Sequence, residues 1–168
     1  IGAVFAGLYS IGYDFEEIFE MLSSIGLEIF RDINVDFKKE IAVSKGNIFY
    51  DWVKEKIEKK FYKENYKKNQ MPPVCFKDIE KMGKKLIIFS VDLIKNEFFE
   101  FSAKNTPEAE IATAIRASVS MPGLFVPLEY EDKLLVDGDL LKAIPLWRVS
   151  KTIMEENRTI SGHKCRFI

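Results

Sequence analysis

Few side chains in this sequence suit catalysis, so each can be weighed in turn. The only histidine, His163, lies near the C-terminus in a polar stretch, a poor place for a general base. Cys75 and Cys165 are far apart, outside any metal-type spacing, and have no basic neighbour to activate a thiolate. Ser118 and Ser120 follow a predicted helix but lack the glycine pattern of a nucleophile elbow. Arg116 fits a structural ion pair or a cap on the next turn better than a phosphate site. Asp137-Gly138 is different: it places a carboxylate at the end of the predicted strand Lys133 to Val136, ahead of a residue that lets the chain turn tightly. Chemistry in α/β sheets gathers at the carboxyl ends of strands. Asp-Gly is also a common tight turn, so the pair needs its surroundings to acquire meaning.

Those surroundings alternate helix and strand. Ile1 to Tyr13 is uncharged and too short for the ~18 apolar residues that cross a bilayer. Its interleaved Gly2, Ala3, Ala6 and Gly7 predict a buried helix whose backbone nearly touches a neighbour. Asp14 and Glu17 form a capping box for a helix from Phe15 to Ser24, with Gly26 as its stop. A poorly periodic stretch runs from Asp32 to Ser44, and a long helix starts near Asn47 with Val53, Ile57 and Phe61 on one face. Its other face is basic: between Lys54 and Lys68 seven lysines stand against three glutamates. Such a face either solvates a helix or lies on an anionic membrane.

Pro72 and Pro73 break the chain before a short helix at Phe76 to Met82, closed by Gly83. Leu86 to Val91 predicts a strand buried on both faces, and Glu97 to Ser102 its return. Thr106 and Pro107 have the chemistry of an N-cap and first helical residue for a helix through Ile111, Ile115 and Val119. Val126 to Tyr130 and Lys133 to Val136 predict a hairpin ending at Asp137, and Leu146 to Met154 a last amphipathic stretch. The alternation predicts an α/β architecture in three layers.

The segment from Thr106 to Asp139, TPEAEIATAIRASVSMPGLFVPLEYEDKLLVDGD, resembles the patatin-like phospholipase family. There, a helix with an Ala-Ile-Arg-Ala-Ser core leads through Pro and Phe-x-Pro to a strand ending in Asp-Gly-Gly or Asp-Gly-Ala. Ala114 to Ser118, Pro122, Phe125, Pro127 and Asp137-Gly138 match in register. The order of elements from Phe76 to Ser102, and the helix from Ile1 to Tyr13, are similar too, so the resemblance covers about residues 1–145. It implies a three-layer α/β/α patatin-like fold in one domain over 1–168, incomplete at its N-terminus.

The resemblance also implies a Ser-Asp dyad. Aligned on the Gly-x-Ser-x-Gly motif, Ile1 falls just after the serine and Gly2 on the closing glycine, so the nucleophile and the glycine-rich oxyanion loop are expected upstream of Ile1. Asp137 would be the general base, with Gly138 leaving room for the turn. The reaction implied is acyl transfer from a phospholipid or other lipid ester to water, with no cofactor and no metal. The alternative is a catalytically inactive relative that binds lipid or a protein partner. Asp139 departs from the family's Gly or Ala and adds a second carboxylate, which matters little if it faces solvent. Past Pro145 the predicted helix and polar tail also depart from the family's next core strand.

Composition agrees with a soluble globular domain. The chain has 168 residues, is 47% hydrophobic and 30% charged, and carries 25 basic against 26 acidic residues. That balance argues against disorder and against a nucleic-acid partner. Two separated cysteines favour a reducing compartment. The expected location is therefore cytoplasmic, with the lysine-rich helix read first as a solvated face and second as the candidate for peripheral membrane contact. Oligomeric state is not legible.

Overall fold

The structure is a computed structural model and describes residues 1–30, 32 and 42–140. The predicted helix from Leu146 to Met154, the departure past Pro145, His163 and Cys165 all lie outside the described residues.

Two helices open the chain, α1 (Gly2–Ser10) and α2 (Phe15–Ser24), followed by a 3₁₀ turn, Leu27–Phe30. The capping box forms as predicted: Asp14 Oδ1 accepts from the Glu17 amide and Glu17 Oε2 from the Asp14 amide, both at 2.8 Å. Strand β1 (Ala42–Ser44) precedes the long helix α3 (Asn47–Tyr62), and α4 (Phe76–Lys81) follows the proline break. Strands β2 (Ile87–Asp92) and β3 (Glu97–Ser102) form a hairpin, and helix α5 spans Ile111–Ser118. The short β4 (Gly123–Phe125) precedes a second hairpin, β5 (Leu128–Tyr130) and β6 (Lys133–Asp137).

The main sheet has the order β3-β2-β6-β5 and is antiparallel at every pairing, while β1 and β4 form a separate parallel pair. β2 is central, as its apolar run predicts, although Ile87 and Phe89 are only half-buried. The architecture is α/β, and the sheet is an inner layer. Leu135 and Val136 are consecutive and so face opposite sides, yet both are fully buried. Helix α5 lies between the sheet and the α1 and α3 pair, with six of its eight residues buried.

Close approach of α1 to α5 explains its small residues, but only at one of them. A Cβ on Gly7 would stand 2.4 Å from Ile115 Cδ1, whereas nothing lies within 4 Å of one on Gly2. The prediction of a buried helix holds for the Val4, Gly7, Leu8 face; Tyr9 is 60% exposed.

Helix α5 begins later than Thr106 and Pro107 suggest. The Thr106 hydroxyl is used by the turn after β3, accepting from the Ser102 amide at 3.1 Å. The next residues form a bridge to the chain before α4: Phe76 donates to the Ala109 carbonyl and Ile111 to that of Val74. Main-chain pairing there overrides a local helix start, and Glu110 becomes the N-cap residue. Its carboxylate accepts from Tyr50 at 2.5 Å and pairs with Lys54 at 3.2 Å, tying α3 to α5. Among the described residues no helix is long and apolar enough to span a membrane.

Candidate active site

Asp137 ends β6 opposite Ser90 of β2, and its amide donates to the Ser120 carbonyl at 3.0 Å. Its Oδ1 accepts from the Asp139 amide at 3.0 Å, leaving Oδ2 without a partner among the described residues. One carboxylate oxygen therefore orients the group and the other is available to a proton. Gly138 is needed where it stands, because a Cβ there would lie 3.1 Å from the Phe89 carbonyl oxygen. Asp139 is exposed and serves the site through its main-chain N–H.

The carboxylate lies on the wall of a cavity of about 600 Å³. Ile1, Val4 of α1, Leu22 and Ile25 from the α2 end, Ile29, and Val119, Met121, Leu124 and Phe125 are among the residues that line it, with Asp137 as the only charged side chain among the lining residues. Ile1 and Asp137, 136 positions apart in the chain, thus meet at one cavity. Gly2 is the first residue of α1, directly beside it.

Behind this wall Arg116 is 3% exposed and makes no ion pair among the described residues. Its role is structural, as the sequence suggests, but its partners are carbonyls. Nε donates to Gly46 at 3.2 Å, Nη2 to Lys45 at 2.6 Å and Val126 at 2.9 Å, and Nη1 donates to the Ser120 hydroxyl. The guanidinium also stacks over Phe125, 4.8 Å from the ring centroid. Burial pulls it down to about 10, so it is still charged at neutral pH. Gly46 adopts φ +76°, and a Cβ there would fall 2.1 Å from Arg116 Nε. Asp32 completes the buttress, accepting from Ser44 and from the first two amides of α3. Sequence reasoning missed this network because its bonds to Gly46 and Lys45 join residues about seventy positions apart.

Cys75 and the lysines of α3 are not among the residues that line the cavity. Cys75 is buried, and burial raises its thiol above the ordinary range, which disfavours a nucleophilic thiolate. Lys54, Lys59, Lys60 and Lys68 are paired with carboxylates of the same chain. No group of three or more metal-ligating side chains occurs among the described residues.

A carboxylate at a strand end on the wall of an apolar cavity has the make-up of a small-molecule site. The patatin-like phospholipase model matches residues 1–149, and the chain belongs to that family. It is 28% identical over 147 residues to a probable lipid hydrolase, 463L, of Invertebrate iridescent virus 6, covering 86% of this chain and 49% of that protein. It is also 28% identical over 138 residues to the uncharacterized protein R571 of Acanthamoeba polyphaga mimivirus, covering 82% and 44%. The chain spans about half the length of these curated relatives.

Proposed function

We propose that the protein is a lipid ester hydrolase working through a Ser-Asp dyad, with Asp137 as the general base and the nucleophilic serine immediately before Ile1. The supporting observation is the cavity: apolar on all sides, it carries one charged side chain, Asp137, and reaches the start of α1. Its volume falls within the ~300–1,000 Å³ of small-molecule sites, and its lining suits an acyl chain.

A serine hydroxyl attacks poorly until a base within hydrogen-bond reach takes its proton. Asp137 Oδ2 accepts that proton as the serine oxygen bonds to the ester carbonyl carbon. The tetrahedral oxyanion collapses, the C–O bond to the alcohol breaks, and Asp137 returns the proton to the departing oxygen. Water then attacks the acyl-enzyme, again giving its proton to Asp137. The serine leaves with that proton, and the fatty acid is released. An ordinary carboxylate is a weak base for a hydroxyl, so efficiency rests on placement and on donors aimed at the oxyanion.

Hydrolysis of a short-chain ester by the complete protein tests this. Asp137→Asn keeps the shape and hydrogen bonds of the side chain but not its basicity, and is expected to lower kcat roughly 10³-fold with unchanged circular dichroism. Full activity in that variant would falsify the dyad. Residues 1–168 alone are expected to be inactive. If the residues preceding Ile1 do not complete Gly-x-Ser, the inactive lipid- or partner-binding reading takes over.

A further inference from the structure

Ser90 of β2 is fully buried, and its hydroxyl has no hydrogen-bond partner among the described residues. An unpaired buried hydroxyl is costly and rare, which calls for an explanation. Its neighbours on the sheet make the cost plain. Ser90 stands opposite Phe99 of β3 on one side and Asp137 of β6 on the other, with Ile88 two residues back on the same face. Ile88 belongs to the main apolar core, as does Leu135, which precedes Asp137 on that face of β6. Asp137 is therefore the one among these neighbours whose side chain can hydrogen-bond. The described residues enclose the hydroxyl by themselves.

Register brings the two side chains close. In an antiparallel pair, hydrogen-bonded and non-bonded residue pairs alternate, and side chains approach more nearly in the non-bonded ones, with Cα atoms ~4.5 Å apart. The Leu93 amide donates to the Leu134 carbonyl at 2.9 Å, which sets the alternation, so Ser90 and Asp137 fall on a non-bonded position. The Asp137 amide agrees, since it donates to Ser120 and not across to Ser90. Residues directly opposite project from the same face of the sheet. Towards Ser90 the carboxylate has Oδ2 to offer, because Oδ1 is held by the Asp139 amide.

We propose that Ser90 is a positioning residue for Asp137, its hydroxyl pairing with Oδ2 after a rotation about the Ser90 Cα–Cβ bond. A hydroxyl both donates and accepts. It donates to Oδ2 while Asp137 is a carboxylate and accepts from it once Oδ2 carries the nucleophile's proton, so the base keeps its orientation in both states. The inference rests on the dyad proposed above and supplies a partner for the atom that takes the proton.

Thermal unfolding of the complete protein tests the pairing without reference to catalysis. In Asp137→Asn the amide nitrogen takes the place of Oδ2, since the Asp139 amide still requires an acceptor at Oδ1, and that nitrogen can donate to Ser90. Asp137→Ala offers Ser90 nothing. Adding Ser90→Ala is expected to lower Tm by about 2–4 °C more in the first background than in the second, the size of one hydrogen bond. Equal shifts in the two backgrounds would overturn the proposal. Hydrolysis of a short-chain ester by the complete protein is the second readout. Ser90→Ala alone is expected to lower kcat roughly tenfold with KM unchanged and to have no further effect in Asp137→Asn, whereas a merely structural defect would add to it. Undiminished kcat in Ser90→Ala overturns the positioning role even where Asp137→Asn is inactive and the dyad stands. Full activity in Asp137→Asn overturns the dyad and this role together.

Discussion

The two walls of the cavity are built on opposite principles. The wall carrying Asp137, Val119 and Phe125 rests on a buried cation whose donors hold carbonyls from the start of α3 and the chain after β4, together with the Ser120 hydroxyl. The wall carrying Ile1, Val4 and Leu22 is seated by the packing of α1 on α5, with peripheral ties to α3 through the Tyr13 hydroxyl and the Glu17–Lys60 pair and no buried cation behind it among the described residues. A base acting on a hydroxyl must be held to a fraction of an ångström, which directed hydrogen bonds achieve. An acyl chain presents no polar group to align and needs only a dry surface that can adjust.

The contrast is broken most forcefully at Arg116. Arg116→Met keeps much of the volume but strips the donors from three carbonyls, and is expected to cost about 3–5 kcal/mol in urea unfolding. It should also lower activity in whatever fraction remains folded. A loss below ~1 kcal/mol would show that this wall, too, is held by packing.

On the α1 side the expected effects are smaller and differ between neighbouring glycines. Gly7→Ala forces Ile115 aside and should cost about 1 kcal/mol, whereas Gly2→Ala meets open space and should stay within ~0.5 kcal/mol of wild type. Equal values for the two would mean that α1 is not seated on α5 as described.

The smallest effect belongs to neither wall. On α3, hydrogen bonds from Lys59 and Lys68 hold Glu55 down to about 2, below the ordinary carboxylate range. Because the folded value is depressed, the pairing contributes fully above the unfolded pKa and is lost as pH falls from about 4.5 toward 2. Glu55 is partly exposed, so the loss should be below ~1 kcal/mol. Comparing wild type with Glu55→Gln at pH 7 and at pH 3 isolates it; a difference that persists unchanged at pH 3 contradicts the assignment.

What could be read from the chain was whatever depends on near neighbours. Helix α2 and its capping box, the start of α3 and both hairpins rest on spacings of a few residues, and the structure has them within a residue or two. The resemblance in register around Ala114 to Asp137 added the family. The misses are all long-range. Three-residue strands such as β1 and β4 are too short to show alternation, so their parallel pairing left no trace in the pattern. The start of α5 moved because a bridge to Cys75 competes for its main chain. Residue type alone left Arg116 between an ion pair and a cap on the next turn; its actual partners are three main-chain carbonyls, a group every residue possesses, and the Ser120 hydroxyl. The cavity was equally hidden: Leu22, Ile25 and Leu124 look like ordinary core residues until folding leaves a space between them.

Helix α5 has a consequence of another kind. It separates β6, which carries Asp137, from α1, which Ile1 precedes as the N-cap residue, and its buried residues include Ala112, Ala114 and Ala117. Its thickness therefore acts as a gauge between the two halves of the proposed dyad. Bulk added on the faces of α5 that meet α1 and β6 would be transmitted as distance between Ile1 and Asp137, so an interior substitution that lines no part of the cavity is expected to change its shape.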